Sequence, residues 1–195
     1  MNRISICNHL IATYGLDSYL EIGVRRKSSM FDRIVADHKK GIDPDPRAQA
    51  DYTMTSDEYF ADHDDKFDLI FVDGAHLAKN VKRDISNGLK CLTNRGMILL
   101  HDMNPPTAFH ARETYEVNGT FPSWNGTSWQ GYAWYRKHCP DLEMYVVDCD
   151  YGVGFVRWGS QDTWDGPIEG YEDLEANREE LLNLISVEEF LERHK

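Results

Sequence analysis

The chain has 195 residues, 41% of them hydrophobic, and its 33 acidic residues outweigh 21 basic ones to give a formal net charge of −12. This length suits one folded domain over residues 1–195, and the apolar content is too high for a disordered chain. The negative charge repels phosphate backbones and anionic bilayers, so nucleic acid and membrane surfaces are not expected as partners. No apolar run approaches the roughly 18 to 20 residues that a membrane span requires.

The start of the chain has neither an apolar h-region nor a cleavage site. A signal peptide is therefore not predicted, and a cytoplasmic location is expected. The four cysteines show no metal-ligand spacing and are expected to be reduced thiols in that compartment, although their even number leaves disulfides open. The oligomeric state is left open as well, a homo-oligomer included.

Short apolar runs alternate with helical patterns along the chain, which is typical of βαβ units and a parallel sheet. The strand candidates are residues 19–24, 41–43, 52–54, 67–73, 96–102, 142–148 and 152–158. The last two are separated by three residues, too few for a crossover helix, so they must form an antiparallel hairpin. We therefore predict an α/β fold: a Rossmann-like, doubly wound sheet of about seven strands, mostly parallel, with an antiparallel C-terminal hairpin strand.

Apolar residues at spacings of three and four predict a helix over residues 77–92. Asp84 lies away from this apolar stripe and is predicted to be at the surface. A second helix is expected to begin near Met30, and residues 172–194 are predicted to form a C-terminal helical segment interrupted near Ser186.

Residues 103–130 interrupt the alternation with three prolines, two Asn-Gly pairs and several aromatic residues. A loop of this length within a compact domain is usually functional or disordered, and the aromatic content argues against disorder. We interpret it as a lid or as an insertion that binds a small-molecule acceptor, the substrate of the protein. Trp124 and Trp129 are candidates for an apolar wall against the acceptor, whereas Trp134 is expected to pack a helix onto the sheet.

Polar residues follow four of the strand candidates at their carboxyl ends, where open α/β sheets bind ligands. They are Glu21 with Gly23, Asp43, Asp73, and His101 with Asp102. Gly23 would let the backbone approach a ligand closely. Ser28 and Ser29 either offer hydrogen-bond donors to a carboxylate or cap a helix. Asp43 is placed to accept both ribose hydroxyls of an adenosyl ligand, or else forms an Asx turn before proline.

These residues resemble class I S-adenosylmethionine-dependent methyltransferases over residues 18–158. More narrowly, the chain is similar to macrolide-sugar O-methyltransferases and cephalosporin hydroxylase-like proteins. The most specific parts of the resemblance are Phe-Val-Asp-Gly-Ala-His at residues 71–76 and Leu-Leu-His-Asp-Met-Asn-Pro-Pro at residues 99–106. The first turn, Glu-Ile-Gly-Val at residues 21–24, departs from the commoner ExGxGxG pattern.

The resemblance implies S-adenosylmethionine as the cofactor and assigns residues to it. Those implied to bind the cofactor are Glu21, Gly23, Ser28 or Ser29 at its methionine end, Asp43 at the ribose, Ser56 at the adenine, and Asp73. The family's metal positions correspond to Asp73, His101 and Asp102. Imidazole in place of a carboxylate makes a Mg²⁺ site poorer and leaves Mn²⁺, Fe²⁺, Zn²⁺ or no metal as alternatives.

The resemblance also implies catalytic roles for His76 and Asp102. An acceptor hydroxyl must lose its proton to become a good nucleophile, and His76, with an ordinary pKa of about 6.5, suits the role of base. The alternative is that His76 caps the helix that follows it. His101 likewise has a structural alternative, a strand-end histidine bonded to backbone.

The predicted function is S-adenosylmethionine-dependent methyl transfer to a hydroxyl of a small-molecule acceptor, with a sugar in glycan or natural-product biosynthesis as one candidate acceptor. One alternative is an NAD-dependent oxidoreductase on a similar fold, which would favour a glycine-richer first turn. The other is a non-catalytic cofactor-binding module.

Overall fold

The computed structural model describes residues 1–195 as a seven-stranded mixed sheet with the order β2-β1-β3-β4-β6-β5-β7. The strands are β1 (Ser18–Ile22), β2 (His38–Ile42), β3 (Phe67–Val72), β4 (Leu92–Leu100), β5 (Leu142–Val147), β6 (Val153–Trp158) and β7 (Leu184–Ile185). Neighbours from β2 to β4 pair in parallel, and β6 runs antiparallel to both β4 and β5. The predicted Rossmann-like sheet with an antiparallel hairpin is confirmed.

The seventh strand differs from the prediction. Residues 52–54 contribute only an isolated bridge from Tyr52 to Ile42, and the strand β7 instead lies inside the segment predicted to be helical. Asn183 ends the preceding helix in a left-handed conformation with φ of 48°, and its side chain donates to the Met144 carbonyl of β5 at 2.8 Å. A two-residue strand is too short to leave an alternation pattern in the sequence.

Six helices flank the sheet: α1 (Arg3–Tyr14), α2 (Ser56–Asp62), α3 (Ala78–Lys90), α4 (Ser128–His138), α5 (Tyr171–Leu182) and α6 (Val187–Arg193). Helix α3 is the helix predicted over residues 77–92. None of the six has the length and apolar character of a membrane span.

The helix expected near Met30 does not form. The chain makes two short 3₁₀ turns there, Lys27–Ser29 and Phe31–Arg33. Lys39 of β2 donates to the carbonyls of Phe31 and Ile34 at 2.8 and 3.0 Å, so these carbonyls are satisfied without a continuing helix.

The sheet is covered on both faces, as a largely parallel sheet must be. One face packs on α3, α4 and α5 through residues such as Val81, Ile85 and Trp129, and the other packs on α1 and α6 through residues such as Leu10 and Phe190. All six residues of β3 are buried. This packing leaves the carboxyl ends of β1 to β4 as the edge at which polar side chains meet.

Candidate active site

The first turn after β1 fits tightly against the loop after β3. Gly23 has a φ of 90°, and a Cβ at this position would lie 2.3 Å from the carbonyl oxygen of Asp73. The Gly23 amide donates to the Ile42 carbonyl at 2.9 Å, and the Asp73 amide donates to the Ile22 carbonyl at 2.8 Å. The absence of a side chain at Gly23 therefore allows three strand ends to converge.

Asp43 stands just beyond β2 and is 8% exposed. One carboxylate oxygen accepts from the Arg25 amide at 2.7 Å, and the other accepts from the Asp45 amide at 2.8 Å. The second bond is the Asx turn that the sequence offered as an alternative. The turn fixes the carboxylate beside the larger cavity, and the role of Asp43 in binding a ribose stays a prediction.

Two adjoining cavities lie along this edge of the sheet. The larger cavity, of about 630 Å³, is lined among others by Gly23, Asp43, Ser56, Asp73, His76 and Asp84. The histidine cavity, of about 300 Å³, is lined among others by Glu21, Ser29, Asp73, His76, His101 and Asp102. Gly23, Asp73, His76 and Trp124 border both. Of the predicted site residues, Ser28 alone lines neither cavity.

Glu21 is buried at the base of the histidine cavity, with 2% of its surface exposed. Burial raises the pKa of its carboxyl from the usual 4.5 to about 7 against the effect of the Tyr19 hydroxyl, and the Asp73 charge adds to the rise. The Tyr19 hydroxyl donates to this carboxylate at 2.7 Å. Glu21 is therefore poised to gain from a positively charged ligand group placed beside it.

Two histidines bridge the same two carboxylates. His76 places Nδ1 2.8 Å from Asp102 Oδ2 and Nε2 3.4 Å from Asp73 Oδ1. His101 places Nδ1 3.4 Å from Asp73 Oδ1 and 3.3 Å from Asp102 Oδ1. Both His76 and Asp102 have positive φ, at 52° and 66°, which non-glycine residues adopt at an energetic cost and mostly where the surroundings require it.

The electrostatics of this cluster favour protonated imidazoles and an ionised Asp102. Burial alone would lower the pKa of His76, but the Asp102 hydrogen bond and the Asp73 and Asp102 charges outweigh it and raise the pKa. The pKa of His101 is raised well above its usual value. Burial lowers this pKa, but the Asp73 charge, the largest of the raising effects, and the nearby carboxylates outweigh burial. Despite burial, the two histidines hold the pKa of Asp102 well below its usual range.

Three residues that support this cluster carry no signal in the sequence. Arg3, from α1, places Nη1 3.1 Å from His101 Nε2 and 3.1 Å from Asp150 Oδ1. The buried side chain of Asn125 donates to Asp102. Each comes from a segment far along the chain from its partner, so spacing within the sequence could not reveal the contact.

Residues of the predicted insertion line both cavities. Trp124 stacks on His76 with ring centroids 5.1 Å apart, and Tyr115 stacks on Trp124 at 5.2 Å. Arg112 organises this segment, since its guanidinium donates to the carbonyls of Phe109, Ser123, Tyr115 and Pro122.

The segment is anchored where it meets α4. Gly126 has a φ of 66°, and a Cβ there would lie 2.1 Å from the His76 carbonyl oxygen. The Thr127 amide donates to the same carbonyl at 2.9 Å. Trp129 does not join the aromatic wall: it is 1% exposed and belongs to the core, because α4 begins at Ser128 and turns it toward α3.

The prediction for Asp84 is wrong. Asp84 is 3% exposed, and the Ser56 hydroxyl donates to its Oδ1 at 2.6 Å. The helix stripe alone could not show this, because the neighbour that buries Asp84 is the start of α2, a separate element. Asp84 and Asn80 therefore join Ser56 in lining the larger cavity.

Comparisons with known proteins agree with this geometry. Residues 21–103 match the family model described as a methyltransferase domain, and no curated protein matches the sequence. The S-adenosylhomocysteine-bound methyltransferase PaMTH1 of Podospora anserina is 16% identical over 83% of this chain and 80% of that chain, with a TM-score of 0.54. The O-methyltransferase TomG of Streptomyces achromogenes, solved with S-adenosylmethionine, is 14% identical over 80% and 79%, with a TM-score of 0.54.

An O-methyltransferase from Bacillus cereus, solved with S-adenosylhomocysteine, is 13% identical over 80% of each chain, with a TM-score of 0.51. At these identities the structures establish a shared fold, and the family match adds the methyltransferase domain. The prediction of a methyltransferase domain with this fold is confirmed. The narrower likeness to sugar-modifying enzymes stays a prediction.

Proposed function

We propose that this methyltransferase acts on a hydroxyl group of a small-molecule acceptor, and that His76, held by Asp102, removes the hydroxyl proton. The observation that carries the proposal is the 2.8 Å contact between these two side chains at the junction of the two cavities. The cofactor would span that junction. Asp43 would bind its ribose, Ser56 would border its adenine, and Glu21, Gly23, Ser29 and Asp73 would line its sulfonium and methionine end.

Methyl transfer is an in-line displacement, so positioning supplies much of the acceleration. The acceptor oxygen forms a bond to the methyl carbon as the carbon–sulfur bond breaks, and the sulfur leaves as the neutral thioether of S-adenosylhomocysteine. In the neutral imidazole, the Asp102 carboxylate, 2.8 Å from His76 Nδ1, would favour the proton on Nδ1, so that the lone pair lies on Nε2. The acceptor proton would pass to that nitrogen, which lies 3.4 Å from Asp73 Oδ1.

The aromatic wall supports a ring-shaped acceptor. Trp124 stacks on the base and borders both cavities, and Tyr115 stacks on Trp124 and lines the larger cavity. A sugar offers such a surface an apolar C–H face and a ring of hydroxyls, so we propose a sugar hydroxyl in glycan or natural-product assembly as the acceptor. The segment from residue 103 to about 130 would act as the lid of a single domain.

The cluster also fits a divalent cation. Asp73, His76 and Asp102 bring ligand atoms within 4.8 Å of one another, a set that includes His76 where the sequence suggested His101. A bound cation would lower the pKa of an acceptor hydroxyl. To bind such a cation, His76 would have to lose a proton to solvent and break its contact with Asp102. The carboxylate oxygens of Asp102 already contact Asn125 and both histidines.

Because the carboxylates already have these partners, we expect turnover to survive removal of divalent metal. The rate after treatment with EDTA, measured with and without added Mn²⁺, Mg²⁺ or Zn²⁺, should stay within about threefold of the untreated rate, far less than the contribution of a metal centre. Loss of more than about 100-fold, restored by one ion, would assign Asp73, His76 and Asp102 to metal binding instead.

Equilibrium binding tests the proposed function directly. We expect the protein to bind S-adenosylhomocysteine with at least about 100-fold preference over NAD, because Asp43 and the single-glycine turn suit one adenosine and offer no second nucleotide site. Labelled S-adenosylmethionine should then transfer methyl to members of a panel of hydroxylated sugars and phenols. Preference for NAD would support the oxidoreductase. Cofactor binding with no transfer to any acceptor would support a non-catalytic module.

Two further expectations belong to the proposal. The net charge of −12 argues that nucleic acid is not the acceptor. A cytoplasmic location matches an enzyme that depends on a cytoplasmic cofactor pool.

A further inference from the structure

The larger cavity ends in a buried carboxylate that has too few hydrogen-bond donors. Asp84 receives one hydrogen bond, from the Ser56 hydroxyl. Arg83, which also lines the larger cavity, pairs with Asp57 at 2.5 Å and donates no hydrogen bond to Asp84. An ionised carboxylate offers about four lone-pair sites, so Asp84 has acceptor capacity left over on the cavity side.

The energetic state of Asp84 reflects this shortage. Burial raises the pKa of its carboxyl from the usual 3.8 to about 6, and the Ser56 hydrogen bond offsets only part of the effect. A donor group brought into the cavity would stabilise the ionised form and would in turn be bound by it.

Asn80 adds a second acceptor one helical turn away. It precedes Asp84 by four residues on α3, so the two side chains share a face of the helix. Its side-chain oxygen is buried without a hydrogen-bond partner, and the residue lines the same cavity as Asp84 and Ser56. A buried acceptor left unpaired in this way costs free energy that a ligand donor would recover.

The position of this pair within the site indicates which part of the ligand it meets. Asp84, Asn80 and Ser56 line the larger cavity and not the histidine cavity. Glu21 and Asp102 line the histidine cavity and not the larger one. Asp43 lies on the larger-cavity side of their junction. A cofactor with its ribose at Asp43 and its sulfur near His76 therefore has its base directed toward Asp84.

We propose that Asp84 and Asn80 read the 6-amino group of the cofactor's adenine, each accepting one of its two N–H bonds. This inference rests on the proposed cofactor orientation and adds a specificity-determining pair that neither the sequence motifs nor the family match identifies. A 6-oxo purine presents an oxygen at that position, and its lone pairs would face those of the carboxylate. The site is thus built to reject the oxo base.

The test compares binding of S-adenosylhomocysteine with that of S-inosylhomocysteine, which differs in replacing the 6-amino group by a 6-oxo group. By isothermal titration calorimetry, the unmodified protein should prefer the adenosine compound by at least about 30-fold, as expected for loss of a charge-assisted hydrogen bond. Asp84→Asn supplies an amide that can donate to the oxo group, so the preference should fall below about threefold. Asn80→Ala should reduce it by a smaller factor.

Asp62→Asn is the matched control, because Asp62 undergoes the same chemical change on α2 but is exposed and does not line the cavity. Its preference should equal that of the unmodified protein. If the Ser56–Asp84 hydrogen bond is purely structural, Asp84→Asn should lower the affinity for both compounds by the same factor and leave the ratio of the two affinities unchanged. That result, or binding of both compounds within threefold by the unmodified protein, overturns the inference. Both outcomes leave the proposed function standing, whereas no binding of either compound removes both.

Discussion

His76→Ala is expected to lower kcat for methyl transfer at least about 100-fold, because removing a general base typically costs a factor of about 10²–10⁴. Affinity for S-adenosylhomocysteine should change less than about threefold, since the imidazole acts on the acceptor and forms no charged contact with the cofactor. Single-turnover rates with labelled S-adenosylmethionine and calorimetric cofactor affinities measure the two quantities separately.

His38→Ala provides the control, because the His38 side chain is 78% exposed and lies at the opposite end of the sheet from the cavities. It should keep the unmodified rate. If His76→Ala also keeps that rate, His76 is a structural residue that closes the loop before α3, and the base must be sought elsewhere in the cavity.

The dependence of rate on pH adds a second readout for the same base. Only neutral His76 can accept a proton, and Asp102 and Asp73 raise its pKa above the usual 6.5, so kcat/KM should rise with pH through an apparent pKa above that value. Asp102→Asn removes one of these charges. In this variant the rise of kcat/KM should move to lower pH. The maximal kcat/KM at high pH should also fall, because the imidazole loses the group that fixes its tautomer. A rise that does not move would contradict the pairing.

Gly23→Ala is expected to weaken cofactor binding at least about 30-fold, equivalent to about 2 kcal/mol. The added Cβ would lie 2.3 Å from the Asp73 carbonyl oxygen, a distance that no packed structure tolerates, so the loop after β3 must shift. That shift carries Asp73 and His76 away from the ends of β1 and β2. Calorimetric binding of S-adenosylhomocysteine and thermal unfolding would report the two consequences.

Gly15→Ala is the control that separates the effect of a steric clash of the new Cβ from the effect of backbone strain at a positive φ. Gly15 also has a positive φ, of 58°, but nothing lies within 4 Å of a Cβ placed there. It should cost about 1 kcal/mol of stability and leave cofactor affinity unchanged. Equal losses of affinity in both variants would show that close approach of the loops is not what Gly23 provides.

The sequence by itself determined the class of fold and the edge of the sheet at which the site lies. Apolar runs that alternate with helical patterns leave few arrangements other than a parallel sheet, and polar residues at the ends of such runs must gather at one edge. For that reason Glu21, Asp43, Asp73, His101 and Asp102 could be named from their positions along the chain, whereas His76 was named from the family resemblance.

Only the tertiary structure decided which of these groups touch and which residues complete them. The contacts of Arg3 with Asp150, of Asn125 with Asp102, and of Ser56 with Asp84 join residues 23 to 147 positions apart, and no periodicity within one element records them. Strand β7 was likewise invisible, because its two residues pair only once α5 has ended at Asn183. Local patterns are set by the chain's own helical and strand periods, whereas a site is set by distances between elements, and these exist only after packing.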